Sequence, residues 1–113
     1  MPFTSIVSGS NTFAPREPGV YALSTLGFSA PQNEIRLKGY SKNRDGSLSG
    51  STTYLLEKDV TVAGVTVRRS MRLVLQGTLT TDFTAAEVIA GVKAIYDHHN
   101  TAGNTDRQLQ GEA

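Results

Sequence analysis

The sequence predicts an α+β protein: an antiparallel β-sheet opened by an N-terminal β-hairpin and closed by a C-terminal helix. Three observations carry the prediction. Residues 3–81 are rich in Thr, Val, Leu, Ser and Gly and are broken at short intervals by turn residues, the texture of successive strands. Near Asp82 the apolar period changes from two to that of a helix. Strands come first and helix last, so the sheet is antiparallel and covered on one side.

Residues 3–7 read as a short strand, and Gly9-Ser10-Asn11 as a turn into a partner strand at Thr12-Phe13-Ala14. Pro15 and Pro18 are expected to interrupt any ladder there, because proline has no N–H to donate. Residues 19–28 read as the next strand, ended by Pro31-Gln32-Asn33. Residues 34–42 alternate most clearly: Ile35, Leu37, Gly39 and Ser41 on one face, Arg36, Lys38, Tyr40 and Lys42 on the other. Asn43-Arg44-Asp45-Gly46 is a turn ending in the preferred Asp-Gly pair, and residues 46–50 read as a flexible hairpin loop.

A further strand is expected over about residues 51–62, and Ala63-Gly64 is a tight turn into the longest strand, residues 65–81. Val67, Met71, Leu73, Leu75 and Leu79 share one of its faces with Arg69 and Gly77. Arg68, Ser70, Arg72, Gln76 and Thr78 share the other, interrupted by Val74. Thr84-Ala85-Ala86-Glu87 is a capping box, in which hydroxyl and carboxylate each satisfy the other residue's amide. Val88, Ile89, Val92, Ile95, Tyr96 and His99 then follow helical spacing to about residue 99, with Gly103 as the expected C-cap. Residues 105–113 read either as a short second helix or as a frayed tail.

Composition narrows the function. The chain has 113 residues, no Cys, and a net charge of +1. It therefore reads as one domain, with residues 1–81 forming hairpin and sheet and residues 84–113 the helical region. Without Cys there is no disulfide framework, thiolate nucleophile or thiolate zinc site. No apolar run approaches a membrane span, and the N-terminus lacks a secretory signal, so no membrane role and an intracellular product are expected. Hydrophobic residues make up 38%, a low share that leaves room for a core completed by a partner subunit.

Charge is unevenly placed. Residues 34–76 hold eight basic and four acidic residues, a net +4, against −3 for the remainder. No catalytic set accompanies this. His98 and His99 are adjacent, so they diverge by about 100° on a helix and suit its C-terminal dipole better than a metal. Asp97 beside His98 diverges likewise, and residues 46–50 lack the Lys-Ser/Thr of a phosphate loop. Neither enzyme activity, nor a small-molecule substrate, nor a cofactor is expected.

What remains is the polar sheet face. Arg36, Lys38, Tyr40 and Lys42 at alternate positions make a row with about 7 Å spacing, close to that of successive phosphates in single-stranded RNA. Cations neutralise phosphates, and a ring among them offers a base-stacking platform. Arg72 and Gln76 extend the face if the long strand joins the same sheet. A basic row of this kind also serves simply to keep an open sheet soluble.

The succession resembles the coat proteins of the single-stranded RNA bacteriophages, the levivirus group. The likeness spans nearly the whole chain: an N-terminal hairpin, the basic strand Ile35-Arg36-Leu37-Lys38-Gly39-Tyr40-Ser41-Lys42 and a Tyr-containing strand Thr52-Thr53-Tyr54-Leu55-Leu56-Glu57. A long strand from Val67-Arg68-Arg69-Ser70-Met71-Arg72 follows, then Thr80-Thr81-Asp82-Phe83-Thr84 opening the helix at residues 87–95.

The resemblance implies an intertwined homodimer whose helices pack over a continuous sheet, with Val88, Val92, Ile95 and Tyr96 on the packed helix face. It implies dimers building an icosahedral shell in the bacterial cytoplasm, the virion capsid, with genomic RNA against the sheet. It also implies an RNA stem-loop held on that sheet to repress replicase translation. The RNA-facing positions carried over are Arg36, Lys38, Tyr40, Lys42, Thr53, Leu55, Glu57, Arg72, Val74 and Gln76. Leu55 and Glu57 stand where the family tends to place polar or basic contacts, and the connection over residues 59–65 is short. The rival reading is a small dimeric RNA-binding regulator that builds no shell.

Overall fold

The computed structural model describes residues 3–23 and 30–113. The chain divides into two compact units, Met1–Thr78 and Leu79–Ala113. The described residues of the first form a single sheet of six strands in sequence order: β1 (Ile6–Ser8), β2 (Asn11–Glu17), β3 (Val20–Leu23), β4 (Asn33–Lys42), β5 (Leu48–Val62) and β6 (Val65–Leu79). Such a meander needs only short connections, and the turn chemistry supplies them.

Gly9, at φ +59°, turns β1 into β2 with Ile6 opposite Phe13. β2 does not stop at Pro15, as proline's missing donor led us to expect: it continues to Glu17, with Pro15 opposite Tyr21. The physical reason is that β1 pairs only as far as Phe13, so at Pro15 one side of β2 is an open edge and no N–H is missed. The extra residue Arg16 makes an irregularity between Pro15 and Glu17. Of the strand expected over residues 19–28, Val20–Leu23 form β3, Gly19 lies in the turn before it, and residues 24–28 lie outside the described residues. Among the described residues the buried apolar ones, Phe13, Val20, Tyr21 and Ala22, all belong to β2 and β3.

β4 pairs with β5 over nearly its whole length, from Asn33 opposite Leu56 to Lys42 opposite Leu48. In the turn between them Asn43 accepts from the Gly46 amide and donates its own to Ser47. The Ser47 hydroxyl and amide both donate to Asp45, which holds that carboxyl below the ordinary carboxylate value. The expected flexible loop over residues 46–50 is shorter than the sequence suggested: β5 begins at Leu48, and Gly50 is buried inside it.

β5 and β6 are 15 residues each, about 50 Å of strand. They are joined by Ala63-Gly64, whose φ values of +51° and +80° give the turn twist that suits a two-residue hairpin. Counting back from that turn sets Asp59 opposite Arg68 and Gly50 opposite Gly77. Arg68 Nε donates to Asp59 Oδ1 at 3.1 Å, and the carboxylate raises the affinity of the guanidinium for its proton. Gly50 and Gly77 both lie against one side chain, that of Tyr40.

The second unit is helical. α1 (Ala85–Asn100) starts at the expected capping box: Thr84 Oγ1 accepts from the Glu87 amide at 3.3 Å, and the Thr84 amide donates to Glu87 Oε1 at 3.2 Å. Its C-cap is Thr101 rather than Gly103; Gly103, at φ +84°, is instead the N-cap of α2 (Asn104–Leu109). The Thr101 hydroxyl and amide both donate to the Asp97 carbonyl, so the helix closes before the glycine is reached.

The two histidines hold the corner between the helices. His98 Nε2 is 2.9 Å from Gln108 Oε1, and His99 Nδ1 is 3.2 Å from Thr105 Oγ1. Asn104 and Thr105 side chains donate to the carbonyls of His98 and His99. No residue of either helix is buried: Ile89, Val92, Ile95 and Tyr96 stand 67, 42, 49 and 62% exposed, and Val88 is half-buried.

Candidate nucleic-acid interface

Directly opposed residues of an antiparallel pair share a face, so the pairing assigns the sheet residues to two sides. Arg36 stands opposite Val20 on one flank and Thr53 on the other, Lys38 opposite Ser51, and Glu34 opposite Ala22 and Leu55. The count from the Ala63-Gly64 turn adds Arg72 opposite Leu55, Val74 opposite Thr53 and Gln76 opposite Ser51. This is the polar face. The other face carries Ile35 opposite Tyr21 and Tyr54, Leu37 opposite Thr52, Leu56 opposite Asn33, and on β6 Met71, Leu73 and Leu75. On this face Met71 and Leu73 are 43 and 56% exposed, whereas Tyr21 is buried.

The basic row is not continuous. Lys38 pairs with Ser51 and Ser41 with Ser49, so three steps along β4 match two along β5. Gly39 and Tyr40 together oppose Gly50, a β-bulge, and the alternation slips by one residue. Beyond it Lys42 lies opposite Leu48, on the apolar side. Tyr40 lies on that side too: a Cβ placed on Gly50 would come within 2.7 Å of its Cδ1, and one on Gly77 would strike its hydroxyl. The ring crosses two glycines of neighbouring strands, which supply the space it occupies.

The expectation that Tyr40 and Lys42 share a row with Arg36 and Lys38 is therefore corrected. Of the candidate RNA-binding residues, Arg36, Lys38, Arg72 and Gln76 share one side with Thr53, which is buried there at 7% exposure, and Tyr40 and Lys42 are turned away. A mid-strand glycine is a bulge signal, and Gly39 was the legible hint.

Sequence reasoning also missed Glu34 and Arg16. The Glu34 side chain is only 5% exposed and sits between two guanidinium groups. Arg16 Nη1 donates to its Oε1 at 3.0 Å, and Arg36 donates to its Oε2 from Nε at 3.0 Å and Nη2 at 2.9 Å. Charge-assisted forks of this kind are shorter and stronger than neutral hydrogen bonds. The Glu34/Arg36 spacing of two along a strand was visible in the sequence; Arg16 needed the topology to bring it from β2.

The polar face is flanked by further order at Glu57, whose Oε1 accepts from the Gln32 amide at 3.0 Å while its own amide donates to the Gln32 carbonyl. Glu57 is thus committed to the backbone leading into β4. Among the described residues no group of three His, Cys, Asp or Glu converges as a metal site. Among the described residues no helix is long and apolar enough to cross a membrane.

No family model and no curated protein matches the sequence. Among solved structures, the chain is similar to that of a virus-like particle of Wenzhou levi-like virus 1. The two share 37% identity over 100% of both chains, with a TM-score of 0.89. The chain belongs to the levivirus coat-protein family. It is a structural capsid protein rather than an enzyme, and the six-stranded antiparallel sheet followed by C-terminal helices is the coat-protein fold. In this coat protein β4 carries Arg36 and Lys38 on one face and passes through a bulge at Gly39-Tyr40.

Proposed function

We propose that this coat protein assembles first as an intertwined homodimer, then as an icosahedral shell, and packages single-stranded RNA on the polar face of its sheet. The observation that carries the reading is the sorting of side chains between the two faces. Arg36, Lys38 and Arg72 lie with Thr53 and Gln76 on one side, and uncovered Met71 and Leu73 on the other. An exposed apolar sheet face and an exposed apolar helix stripe in one chain are the two halves of a contact that a second copy completes. Val88, Val92, Ile95 and Tyr96 supply the helix half.

RNA lies on the remaining face because Arg36, Lys38 and Arg72 stand there together, whereas Lys42, Lys58 and Arg69 on the other side are set among the exposed apolar residues that a second copy would cover. Gln76 adds an exposed hydrogen-bonding group that meets base edges or sugars, the chemistry a stem-loop with splayed-out bases requires. Stem-loop binding on this face would also repress replicase translation, and assembly takes place in the cytoplasm of a bacterial host.

Electron micrographs of the purified protein are expected to show closed particles containing RNA; a stable monomer at micromolar concentration would overturn the reading. Lys38→Glu and Arg72→Glu should each reduce packaged RNA more than they reduce dimer formation. Lys42→Glu, on the opposite face, should reduce it less than Lys38→Glu. Each lost phosphate contact lowers the slope of log K against log salt by about 0.7 for a single strand.

A further inference from the structure

We infer that Glu34 is a positioning residue for RNA: it fixes the Arg36 guanidinium so that an RNA phosphodiester meets an arginine already held in place. The inference rests on the reading of the polar face as the RNA-binding surface. A carboxylate on such a face opposes phosphate, so its burial there calls for a role.

The geometry supplies one. Glu34 divides its two oxygens, Oε1 to Arg16 of β2 and Oε2 to Arg36 of its own strand. Arg36 meets Oε2 through Nε and Nη2 together, which fixes the plane of the guanidinium as a single hydrogen bond would not. The Glu34 side chain is nearly sealed from water, whereas that of Arg36 is 51% exposed. The anchor is thus buried and the anchored group is presented outward. Two of the five guanidinium N–H donors face Glu34; the other three have no partner among the described residues.

The charge balance fits as well: one carboxylate between two guanidinium groups leaves a net positive site. Arg16 holds the far oxygen, so the carboxylate cannot rotate to follow Arg36 when phosphate arrives. An arginine held in this way loses less rotamer freedom on binding, and that saving corresponds to about a two- to tenfold gain in affinity.

The test separates geometry from charge. Glu34→Asp keeps the carboxylate but shortens its reach by one methylene, so both guanidinium groups cannot be held at once. Binding of fluorescein-labelled oligouridylate to the full-length, unassembled protein is followed by anisotropy across a salt series. We expect Glu34→Asp to weaken binding about two- to tenfold, and to do so only while Arg36 is present: in an Arg36→Ala background the same change should have no effect. Thermal unfolding of each variant identifies any that fails to fold, and Glu34→Gln, which keeps side-chain length, then replaces it in the same cycle. Equal effects in the two backgrounds, or wild-type binding by Glu34→Asp, overturn the positioning role while leaving the RNA face intact. If Arg36→Ala itself binds oligouridylate as the wild type does, the RNA face at β4 is overturned, and the positioning role with it.

Discussion

Replacing Gly50 by alanine tests the bulge and the side of the sheet on which Tyr40 lies. Gly50 is buried in β5 and is not among the glycines with positive φ, so alanine adopts its backbone without strain. Were Tyr40 on the polar face, as simple alternation places it, the substitution would tighten the strand and stabilise the protein by about 0.4–1 kcal/mol. In the structure the new Cβ meets Tyr40 Cδ1 at 2.7 Å and Cγ at 2.8 Å, and the Lys38 carbonyl at 3.0 Å. The Cγ and Cδ1 atoms lie at the root of the ring, so the side chain cannot bend away at its tip and must leave its rotamer.

Overpacking of that kind costs about 1–3 kcal/mol, which exceeds the backbone gain. Gly50→Ala should therefore destabilise, and in a Tyr40→Ala background the penalty should shrink by about 1–3 kcal/mol. Urea unfolding of the four unassembled variants measures both numbers. Additive effects, with no coupling between positions 40 and 50, would refute the bulge and return Tyr40 to the polar row.

Other expectations follow from the same contacts. Ala63 holds a left-handed conformation that costs an L-residue about 1 kcal/mol, so Ala63→Asn should raise unfolding free energy by about 0.5–1 kcal/mol in urea denaturation. Thr84→Ala removes the capping box and should cost about 0.5–2 kcal/mol, seen as lost helix signal in circular dichroism on heating. Asp45 titrates below the ordinary carboxylate value because Ser47 hydrogen bonds favour its charged form. Its contribution to the turn is present above the ordinary value and is lost as pH falls through the lower folded one. Ser47→Ala should move that titration, followed by NMR, back up. Ile95→Asp puts a charge on the uncovered helix stripe and should abolish dimers in sedimentation experiments; wild-type association would show that the stripe is not the contact.

Much of this protein was legible along the chain because its elements are set by local chemistry. The capping box of Thr84 and Glu87, the Asp45-Gly46 and Ala63-Gly64 turns, and the period change near Asp82 each involve residues a few positions apart. Local rules place them without knowing what packs against them. Pro15 and Gly103 show the limit of such rules. A proline ends a ladder only where a neighbour needs its N–H, and a glycine caps a helix only if no earlier residue closes it. Whether β1 reaches Pro15, and whether Thr101 turns back to Asp97, are decided by partners.

The family was legible in the order of the strands and helix, and a 37% identical levi-like chain of the same fold agrees with it. The sequence by itself determined that basic residues cluster on β4 and β6, since composition and spacing are properties of the chain alone. Only the tertiary structure decided which of them stand together. Side-chain direction in a strand alternates with a period of two, so the one extra residue at Gly39 and Tyr40 reverses everything beyond it. Its presence is fixed by the register against β5, where Gly50 and Gly77 leave the space that Tyr40 fills. The same long-range pairing brings Arg16 to Glu34 across β3 and gives Arg36 its buried anchor, a contact between residues 18 positions apart.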